Sequence, residues 1–265
     1  MSKIEVLVTT MKQTDFSKYH QMNIQTDAVI ANQIDKNDYV ETNIEGNVVK
    51  LISTDSIGVS RNRNIALVHA DQKSEFVLFA DDDLIFNDGY EQEILNEFEK
   101  HPYADGIKFN IHDLSSSRKI CMKKIKQFEK ATRLNMSSSG VWGLAIKKDV
   151  LNRYNLFFDE HFGPGTPNYC GEDTIFFMEM LKKGVHLYRS PVDIAGIDQT
   201  DSCWFNGHDE HFFSTAGKVM QVIYPKLSYL IVIRSAFRAY RRNDSGMSFV
   251  EILACYYKGI RTYDT

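Results

Sequence analysis

The chain has 265 residues, 43% of them hydrophobic and 25% charged, with a formal net charge of −4. These values are typical of a globular protein, argue against a disordered chain, and give no electrostatic reason to expect nucleic-acid binding. The four cysteines are far apart and contain no C-x-x-C pair, which argues against a zinc site or a disulfide framework and predicts reduced thiols in the cytosol.

The N-terminal stretch MSKIEVLVTT begins directly with a strand pattern and has no signal-peptide core. The most apolar late segment, 227–233, is too short to span a bilayer. We therefore expect a cytoplasmic protein.

In chain order, apolar runs and turn residues predict an alternation of strands and helices. We predict strands at 3–9, 27–31, 40–44, 48–52, 76–80, 106–111, 141–146 and 185–188, and helices at 58–70, 89–100 and 171–183. Ser60 is the predicted N-cap of the first helix. Such an alternation predicts an α/β, Rossmann-like fold with a mainly parallel central sheet flanked by helices. We assign 1–208 to this domain and 209–265 to a helical C-terminal appendage.

Three adjacent aspartates, Asp81, Asp82 and Asp83, follow the apolar run 76–80 within EFVLFADDDLIF. Ligands of parallel α/β sheets bind at the carboxyl ends of the strands, where these residues are expected. Unpaired neighbouring carboxylates repel one another and raise their pKa values, and a divalent cation removes that repulsion. Hard oxygen ligands suit Mg²⁺ or Mn²⁺. The alternative interpretation is a solvated acidic turn.

A second group, GVSRNRN at 58–64, places Arg61 and Arg63 in the first turn of a predicted helix. Arginines there oppose the helix dipole, which favours anions at this end. They are explained if an anionic ligand such as a diphosphate binds at the helix start. The alternative is that both side chains are simply exposed to solvent.

A third group, Gly171-Glu172-Asp173, follows a glycine-rich loop and precedes a predicted helix. Acids are common caps at helix starts, which is the structural alternative. The same position keeps a carboxylate ionised, as a general base requires. The preceding loop, 162–169, could shape an acceptor pocket.

These three groups, in this order and with IEVLVTT before them, resemble the family 2 glycosyltransferases of the GT-A fold that build bacterial polysaccharides and other glycans. The resemblance covers about residues 1–190, and FADDDLIF matches the family's metal-binding aspartate (DXD) motif. It implies a nucleotide-sugar donor held at the carboxyl edge of the sheet with Mn²⁺ or Mg²⁺.

The resemblance also implies a set of nucleotide-binding residues. Thr9 is similar to the first-strand residue that lines the nucleotide, and Asn32 lies where the family usually has an aspartate that contacts the base. Arg63 corresponds to an arginine near the nucleotide. Asp82 matches the ribose-contacting position, with Asp81 beside it.

For the metal, Asp83 matches the ligating aspartate, and Asp81 is a further candidate that would ligate through water or support its neighbours. Members of this fold often complete the metal shell with a histidine from a late segment, which makes His208 and His211 candidates by analogy. For either histidine, the alternative is an isolated surface residue.

For catalysis, Asp173 matches the base of inverting members, with Glu172 adjacent to it. Gly171 and Trp204 are expected at the acceptor side, where Trp204 either stacks on a sugar ring or belongs to the core. The resemblance thus implies a metal-dependent, inverting transfer of a hexose from a UDP-sugar to a glycan or lipid-linked acceptor.

Two other functions stay open at this point. A magnesium-dependent nucleotidyltransferase also combines an α/β sheet with aspartate-bound metal, although it usually has a glycine-rich first loop that this chain lacks. A non-catalytic nucleotide-sugar-binding module would retain only the residues that bind the sugar donor. The intact GED motif, which belongs to the catalytic part, argues against this function.

The segment 218–242 carries six basic residues and no acidic residue, interleaved with apolar ones. A basic amphipathic helix is typical of a membrane-surface element. We therefore expect either peripheral contact with the inner face of the cell membrane, or a helix packed on the catalytic domain or in a homodimer.

Overall fold

A computed structural model of the protein describes residues 3–114, 124–197, 207–243 and 245–263. In chain order, its elements are β1 (Ile4–Met11), α1 (Ser17–Gln21), β2 (Asp27–Gln33), β3 (Asp38–Ile44), β4 (Asn47–Thr54), α2 (Val59–His69), β5 (Phe76–Asp81), β6 (Leu84–Phe86), α3 (Tyr90–Lys100), β7 (Gly106–Asp113), β8 (Glu129–Lys130), α4 (Arg133–Met136), β9 (Leu144–Lys147), α5 (Lys148–Arg153), α6 (Glu172–Lys183), β10 (Leu187–Ile197), α7 (Glu210–Ile223), α8 (Ser228–Arg242) and α9 (Phe249–Thr262).

Within the described residues, the strands form one sheet in the order β3-β4-β2-β1-β5-β9-β7-β10-β6, and β8 pairs with β10. Parallel pairs join β4, β2, β1 and β5, and also β7 and β10. β9 lies antiparallel between β5 and β7. The predicted α/β fold is confirmed, with a parallel block at β4-β2-β1-β5 and an antiparallel strand beside it.

The central strands are buried on both faces. Along β1, Val6 and Val8 pack into the core on one side of the sheet, whereas Leu7 packs into the core on the other. Side chains alternate across a strand, so the consecutive apolar residues Val6, Leu7 and Val8 must be covered on both sides, and the charged Glu5 before them is buried in an ion pair with Lys50 at 3.3 Å. This explains why the first strand lacks an alternating polar pattern.

The start of α2 differs from the prediction. Gly58, at φ 123°, occupies the N-cap position, and Ser60 lies within the first turn of the helix. The Ser60 hydroxyl donates a hydrogen bond to the Phe162 carbonyl at 2.7 Å instead of capping the helix. Glycine enters this backbone conformation without the steric cost of a Cβ, so the helix begins one residue before the predicted cap.

The expected basic helix at 218–242 is two helices. α7 ends at Ile223, Tyr224-Pro225 follows, and α8 starts at Ser228. Proline has no amide hydrogen to continue the helix, and the carbonyl of Tyr224 instead accepts hydrogen bonds from the amides of Leu227 and Ser228. The break separates a half-buried helix, α7, from an exposed helix, α8.

The C-terminal helices have their own apolar core and also pack on the α/β part. Phe213, Val232 and Ile252 come together from α7, α8 and α9. Val219 of α7 packs with Phe162 and Ile175, which flank the start of α6. The predicted boundary at residue 208 remains a prediction, but α7 contacts the part of the chain that carries the GED motif.

No helix in the described part of the chain combines the length and apolar character needed to cross a bilayer.

Candidate active site

The carboxyl edge of the parallel block brings the end of the first strand, Thr9 and Thr10, together with the aspartate motif. Thr9 of β1 is in register with Asp81, the last residue of β5, and donates a hydrogen bond from its hydroxyl to Asp81 Oδ1 at 3.1 Å. The neighbouring Thr10 hydroxyl donates to Asp82. The aspartates thus lie at the end of a strand, as the sequence predicted.

Arg63 of α2 connects this edge to the GED motif. Its guanidinium donates to Asp173 Oδ1 at 2.7 Å, to Asp81 Oδ1 at 3.1 Å and to Glu172 Oε1 at 3.4 Å. The arginine side chain is 4% exposed, so these contacts are shielded from water. Burial disfavours its charge, but the carboxylates of Asp173, Asp81 and Glu172 outweigh burial and raise the pKa of Arg63.

The anions next to α2 are therefore protein carboxylates. Arg61 pairs with Glu160 at 2.8 Å, and Arg63 is occupied by its three carboxylates. An anionic ligand such as a diphosphate is therefore not needed to account for these arginines, because carboxylates distant in sequence supply the negative charge. A contact of Arg63 with the nucleotide stays a prediction.

Asp83 stands apart from the other two aspartates. Its Oδ1 atom is buried and has no hydrogen-bond partner among the described residues. Burial, followed by the charges of Asp81 and Asp82, raises the pKa of Asp83 to about 7. A buried carboxylate oxygen without a partner is unusual, and it is the kind of atom that a cation can satisfy.

Asp173 lies in the first turn of α6, where the helix dipole favours its ionised form. Besides Arg63, its partner is the backbone amide of Val141, which donates to Oδ2 at 3.1 Å. The side chain is 19% exposed, so it is accessible from the edge of the sheet. Burial raises the pKa of Asp173, with Arg63 acting in the opposite direction.

Glu172 is the more enclosed member of the motif, with 11% of its side chain exposed. Burial raises its pKa, and the charge of Asp173 adds to that effect. Its contact with Arg63 is longer than that of Asp173. Of the two predicted catalytic residues, Asp173 is the better placed to meet a substrate, and Glu172 supports the ion cluster.

Lys108 of β7 was missed by the sequence analysis. Its ammonium donates to the carbonyls of Trp142, at 2.6 Å, and Phe109, at 3.1 Å, and it lies 4.2 Å from the centroid of the Trp142 ring. Burial lowers the pKa of Lys108 to about 7. The lysine thus supports the loop whose Val141 amide binds Asp173. The sequence feature that could have identified it is a lysine within the mostly apolar strand GIKFNI, which indicates a buried charge.

Asn32 has a structural role in this fold, and its contact with the base stays a prediction. The side chain is fully buried, and its amide group donates to the Gln13 carbonyl and to Ser53 Oγ. Its Oδ1 atom accepts from the Gln13 amide. Because both amide hydrogens are used inside the protein, Asn32 fixes the segment after β1 and leaves none for a base.

The candidate metal ligands Asp83, Asp81, His208 and His211 do not form one cluster in the described part of the chain, and their roles stay predictions. In the ranges that the structure describes, no three His, Cys, Asp or Glu side chains lie in an arrangement that could hold a metal ion. His211 Nε2 is 2.8 Å from the Pro167 carbonyl, and His208 packs against Phe212 and Phe213 between the C-terminal helices. Trp204 lies outside the described residues.

Gly171 has a steric role. Its φ is 102°, and a Cβ built on it would overlap Val219 Cγ2 of α7. The start of α6, which carries Asp173, therefore packs directly on the C-terminal helices. The loop before it is fixed to α7 as well, because Lys218 donates to Asn168 at 2.9 Å. The C-terminal helices thus contribute to positioning the candidate base.

We expect Gly171→Ala to destabilise the protein by roughly 1–3 kcal/mol through this overlap and to lower activity, because the start of α6 must shift. Val219→Ala removes the overlapping methyl groups, so the double variant should be more stable than the sum of the two single effects predicts. Chemical denaturation of the three variants tests this. Additive losses would show that the contact does not set the position of α6.

Comparison with known proteins identifies relatives of this fold. Residues 30–184, more than half of the chain, match the model of the family described as "Glycosyl transferase family 2". No curated protein sequence matches the chain significantly.

Among solved structures, the crystal structure of S. aureus TarS 1-349 is similar, with a TM-score of 0.64 at 13% identity over 99% of this chain and 91% of that one. The complex of the same TarS fragment with UDP-GlcNAc gives a TM-score of 0.65 over the same shares and at the same identity. GalNAc-T7, solved with UDP, GalNAc and Mn²⁺, gives 0.57 at 11% identity over 98% of this chain and 55% of that one. At these identities the likeness shows a shared fold, the GT-A fold.

Proposed function

The chain belongs to glycosyltransferase family 2, and on that premise we propose that it transfers a hexose from a UDP-sugar to an acceptor hydroxyl with inversion at the anomeric carbon. The observation that carries the proposal is the link through Arg63 between Asp173, at 2.7 Å, and Asp81, at 3.1 Å. It joins a candidate base and the aspartate motif in one cluster at the carboxyl edge of the sheet, where α/β proteins bind ligands.

The donor assignment is supported by the neighbours that carry UDP and UDP-GlcNAc in their crystal structures. Thr9 and Asp82, at the ends of β1 and β5, are the proposed nucleotide contacts of this chain. Asp82 accepts one hydrogen bond, from Thr10, and retains acceptor capacity for a ribose hydroxyl. The sugar itself is not proposed beyond a hexose.

Asp173 is the proposed general base. Its carboxylate takes the proton of the acceptor hydroxyl as that oxygen forms a bond to the anomeric carbon. The bond from this carbon to the diphosphate breaks at the same time, and its electron pair leaves with the nucleoside diphosphate. Attack opposite the leaving group inverts the configuration. Arg63 contacts Asp173 as well as Glu172 and Asp81, and Asp173 is favoured as the base because it lies in the first turn of α6 and is more exposed than Glu172, at 19% against 11%.

Mn²⁺ or Mg²⁺ fits the unpaired Oδ1 atom of Asp83. Mg²⁺ usually binds through one or two carboxylates together with substrate phosphates, so one protein carboxylate is sufficient for this proposal. We propose Asp83 as the protein ligand, with Asp81 holding Arg63 and Thr9 beside it. When bound, the ion neutralises the charge that develops on the leaving diphosphate.

The donor proposal predicts a selective gain in stability on nucleotide binding. Because a ligand that binds only the folded state stabilises it by mass action, UDP with Mn²⁺ should raise the unfolding temperature more than ADP, GDP or CDP. A thermal-shift panel of these nucleotides, with and without Mn²⁺, is the test. Equal shifts for all four nucleotides would contradict the assignment of uracil.

The acceptor is proposed to be a glycan or a lipid-linked oligosaccharide, presented at a membrane on its cytoplasmic side. α8 supports this proposal because large apolar side chains face solvent along it: Leu230 is 67%, Ile233 40% and Phe237 52% exposed. Basic residues lie beside them, and the helix contains no acidic residue. Near an anionic leaflet each basic residue contributes on the order of 1 kcal/mol.

We expect the protein to co-sediment with phosphatidylglycerol vesicles at moderate salt, and Leu230→Ser combined with Phe237→Ser to remove most of that binding. Val68→Ser, at an exposed apolar position of α2, is the control and should have no effect. Truncation of the C-terminus is a poorer test because it uncovers the apolar contacts of α7. If the double substitution instead abolishes a concentration-dependent dimer while vesicle binding persists, α8 is a dimer contact.

A further inference from the structure

A cavity of about 220 Å³ lies between α7, α8 and α9, away from the aspartate motif. Its wall includes Phe213 from α7, Arg238 and Arg242 from α8, and Tyr256 from α9. One water occupies roughly 30 Å³ of the liquid, so the cavity has room for a group of several heavy atoms. Nothing in the proposed transfer reaction uses it.

The described residues that line this cavity include two exposed arginines, Arg238 and Arg242, and no carboxylate. Arg238 and Arg242 are one helical turn apart, and like charges at that spacing repel each other. Neither arginine has a hydrogen-bond or ion-pair partner in the described part of the chain. Guanidinium groups that line a cavity and lack a carboxylate partner suit an oxyanion.

Tyr256 is the second, independent indication of a ligand. The residue is 6% exposed, yet its hydroxyl has no hydrogen-bond partner among the described residues. Burial raises the pKa of Tyr256 to about 12, with Arg242 acting in the opposite direction. The phenol therefore stays protonated at neutral pH and can donate a hydrogen bond to an anion.

We propose that this cavity is a binding site for a phosphate group, held by Arg238, Arg242 and the hydroxyl of Tyr256. Phosphate offers more oxygen acceptors than a carboxylate, which suits donors arriving from two helices. The phosphate can belong to a soluble phosphate ester or to the headgroup of an anionic lipid. Since α7 packs on Gly171 at the start of α6, the site lies on the same helices that support the candidate base.

The test uses the full chain in EDTA, so that divalent cations do not contribute. Calorimetric titration measures binding of inorganic phosphate and glycerol 1-phosphate at constant ionic strength set by chloride. We expect Arg238→Gln with Arg242→Gln to weaken phosphate binding by roughly tenfold or more, because charge-assisted bonds are lost. The matched control is Arg234→Gln with Arg241→Gln, which removes the same charge from the same helix outside the cavity and should leave binding unchanged.

Tyr256→Phe removes only the hydroxyl, and we expect weaker phosphate binding with an unchanged or higher unfolding temperature. This variant keeps the proposal testable if the double arginine variant fails to fold. Binding of glycerol 1-phosphate indicates a soluble source. Binding of phosphatidylglycerol vesicles alone, weakened clearly more by the cavity variants than by the control pair on the same helix, indicates a lipid source.

The proposal is wrong if the wild type binds neither phosphate compound nor vesicles. It is also wrong if both arginine pairs reduce binding equally, because that result means a general effect of surface charge. Neither outcome bears on UDP-sugar turnover, so failure here is separate from failure of the proposed transfer reaction.

Discussion

Asp173→Asn is expected to lower the rate of sugar transfer by roughly 10²–10⁴-fold, the usual contribution of a general base. Asparagine keeps the size of the side chain and an oxygen that can accept from Arg63 or Val141, but it cannot take a proton. Donor affinity should change little, because the donor contacts proposed here lie on β1 and β5. Turnover kinetics and donor titration of the same preparation separate the two effects.

Glu172→Gln is the matched control, because Glu172 shares the Arg63 cluster with Asp173. It removes one negative charge from Arg63 without removing the proposed base, so its effect on rate should be much smaller. Equal losses in the two variants would mean that the charge of the cluster, and not proton transfer, limits the reaction. Normal turnover in Asp173→Asn would refute the role of that base.

The rate should also depend on pH in a direction that the structure fixes. A base acts in its deprotonated form, so transfer should fall as the pH falls through the pKa of Asp173. Burial raises this pKa, so activity should be lost at a higher pH than an ordinary exposed aspartate would predict.

Asp83→Asn is the second substitution with a large expected effect, and it acts in opposite directions on stability and on binding. Without metal, the folded-state pKa of Asp83 is about 7, against 3.8 for the unperturbed group. A group whose pKa is raised in the folded state contributes its full stabilisation at pH values below its pKa in the unfolded state. For Asp83 that contribution is lost as the pH rises through about 7. At pH 8 the metal-free wild type therefore carries the cost of a buried, unpaired charge.

Asparagine removes that charge, so Asp83→Asn should unfold at a higher temperature than the wild type at pH 8 in EDTA, and the two should converge near pH 4. With UDP and Mn²⁺ the order should reverse, because only the wild type gains from binding the ion. Asp35→Asn, at an exposed turn after β2, is the control and should follow the wild type in both conditions. An Mn²⁺-dependent shift that survives in Asp83→Asn would exclude this residue as a ligand.

The sequence predicted the parts of the site that depend on local pattern. Apolar runs identified β1 and β5, and the position of Asp81 after such a run placed the aspartates at the edge of a parallel sheet. The helix start at Glu172 followed from glycine and acids before an apolar face. These features need only strand and helix periodicity, which neighbouring residues determine.

Other parts depend on contacts between distant residues. Arg63 meets Asp81 and Asp173, 18 and 110 positions away, and no local pattern identifies such partners. The same holds for Asn32, whose partners use both of its amide hydrogens, and for Lys108 beneath the Val141 loop. The antiparallel insertion of β9 between β5 and β7 is likewise a property of strand pairing, not of composition.

Buried polar residues of α2 illustrate this limit. Asn62 donates to the carbonyls of Thr10 and Ala31, and Asn64 exchanges hydrogen bonds with the backbone of Phe158. The sequence indicates a polar helix face, which is ordinarily exposed to solvent. In this fold that face is buried because it joins the ends of two strands to the segment before the GED motif.

Release of UDP from a UDP-sugar by the wild-type chain in Mn²⁺ tests the central claim most directly. A panel of UDP-hexoses, with water as the acceptor, should include at least one donor that yields slow production of free UDP, and Asp173→Asn should suppress it. Binding of UDP-sugars without any release of UDP would instead indicate a nucleotide-sugar-binding module. Release of pyrophosphate from a nucleoside triphosphate in the presence of a sugar phosphate would indicate a nucleotidyltransferase.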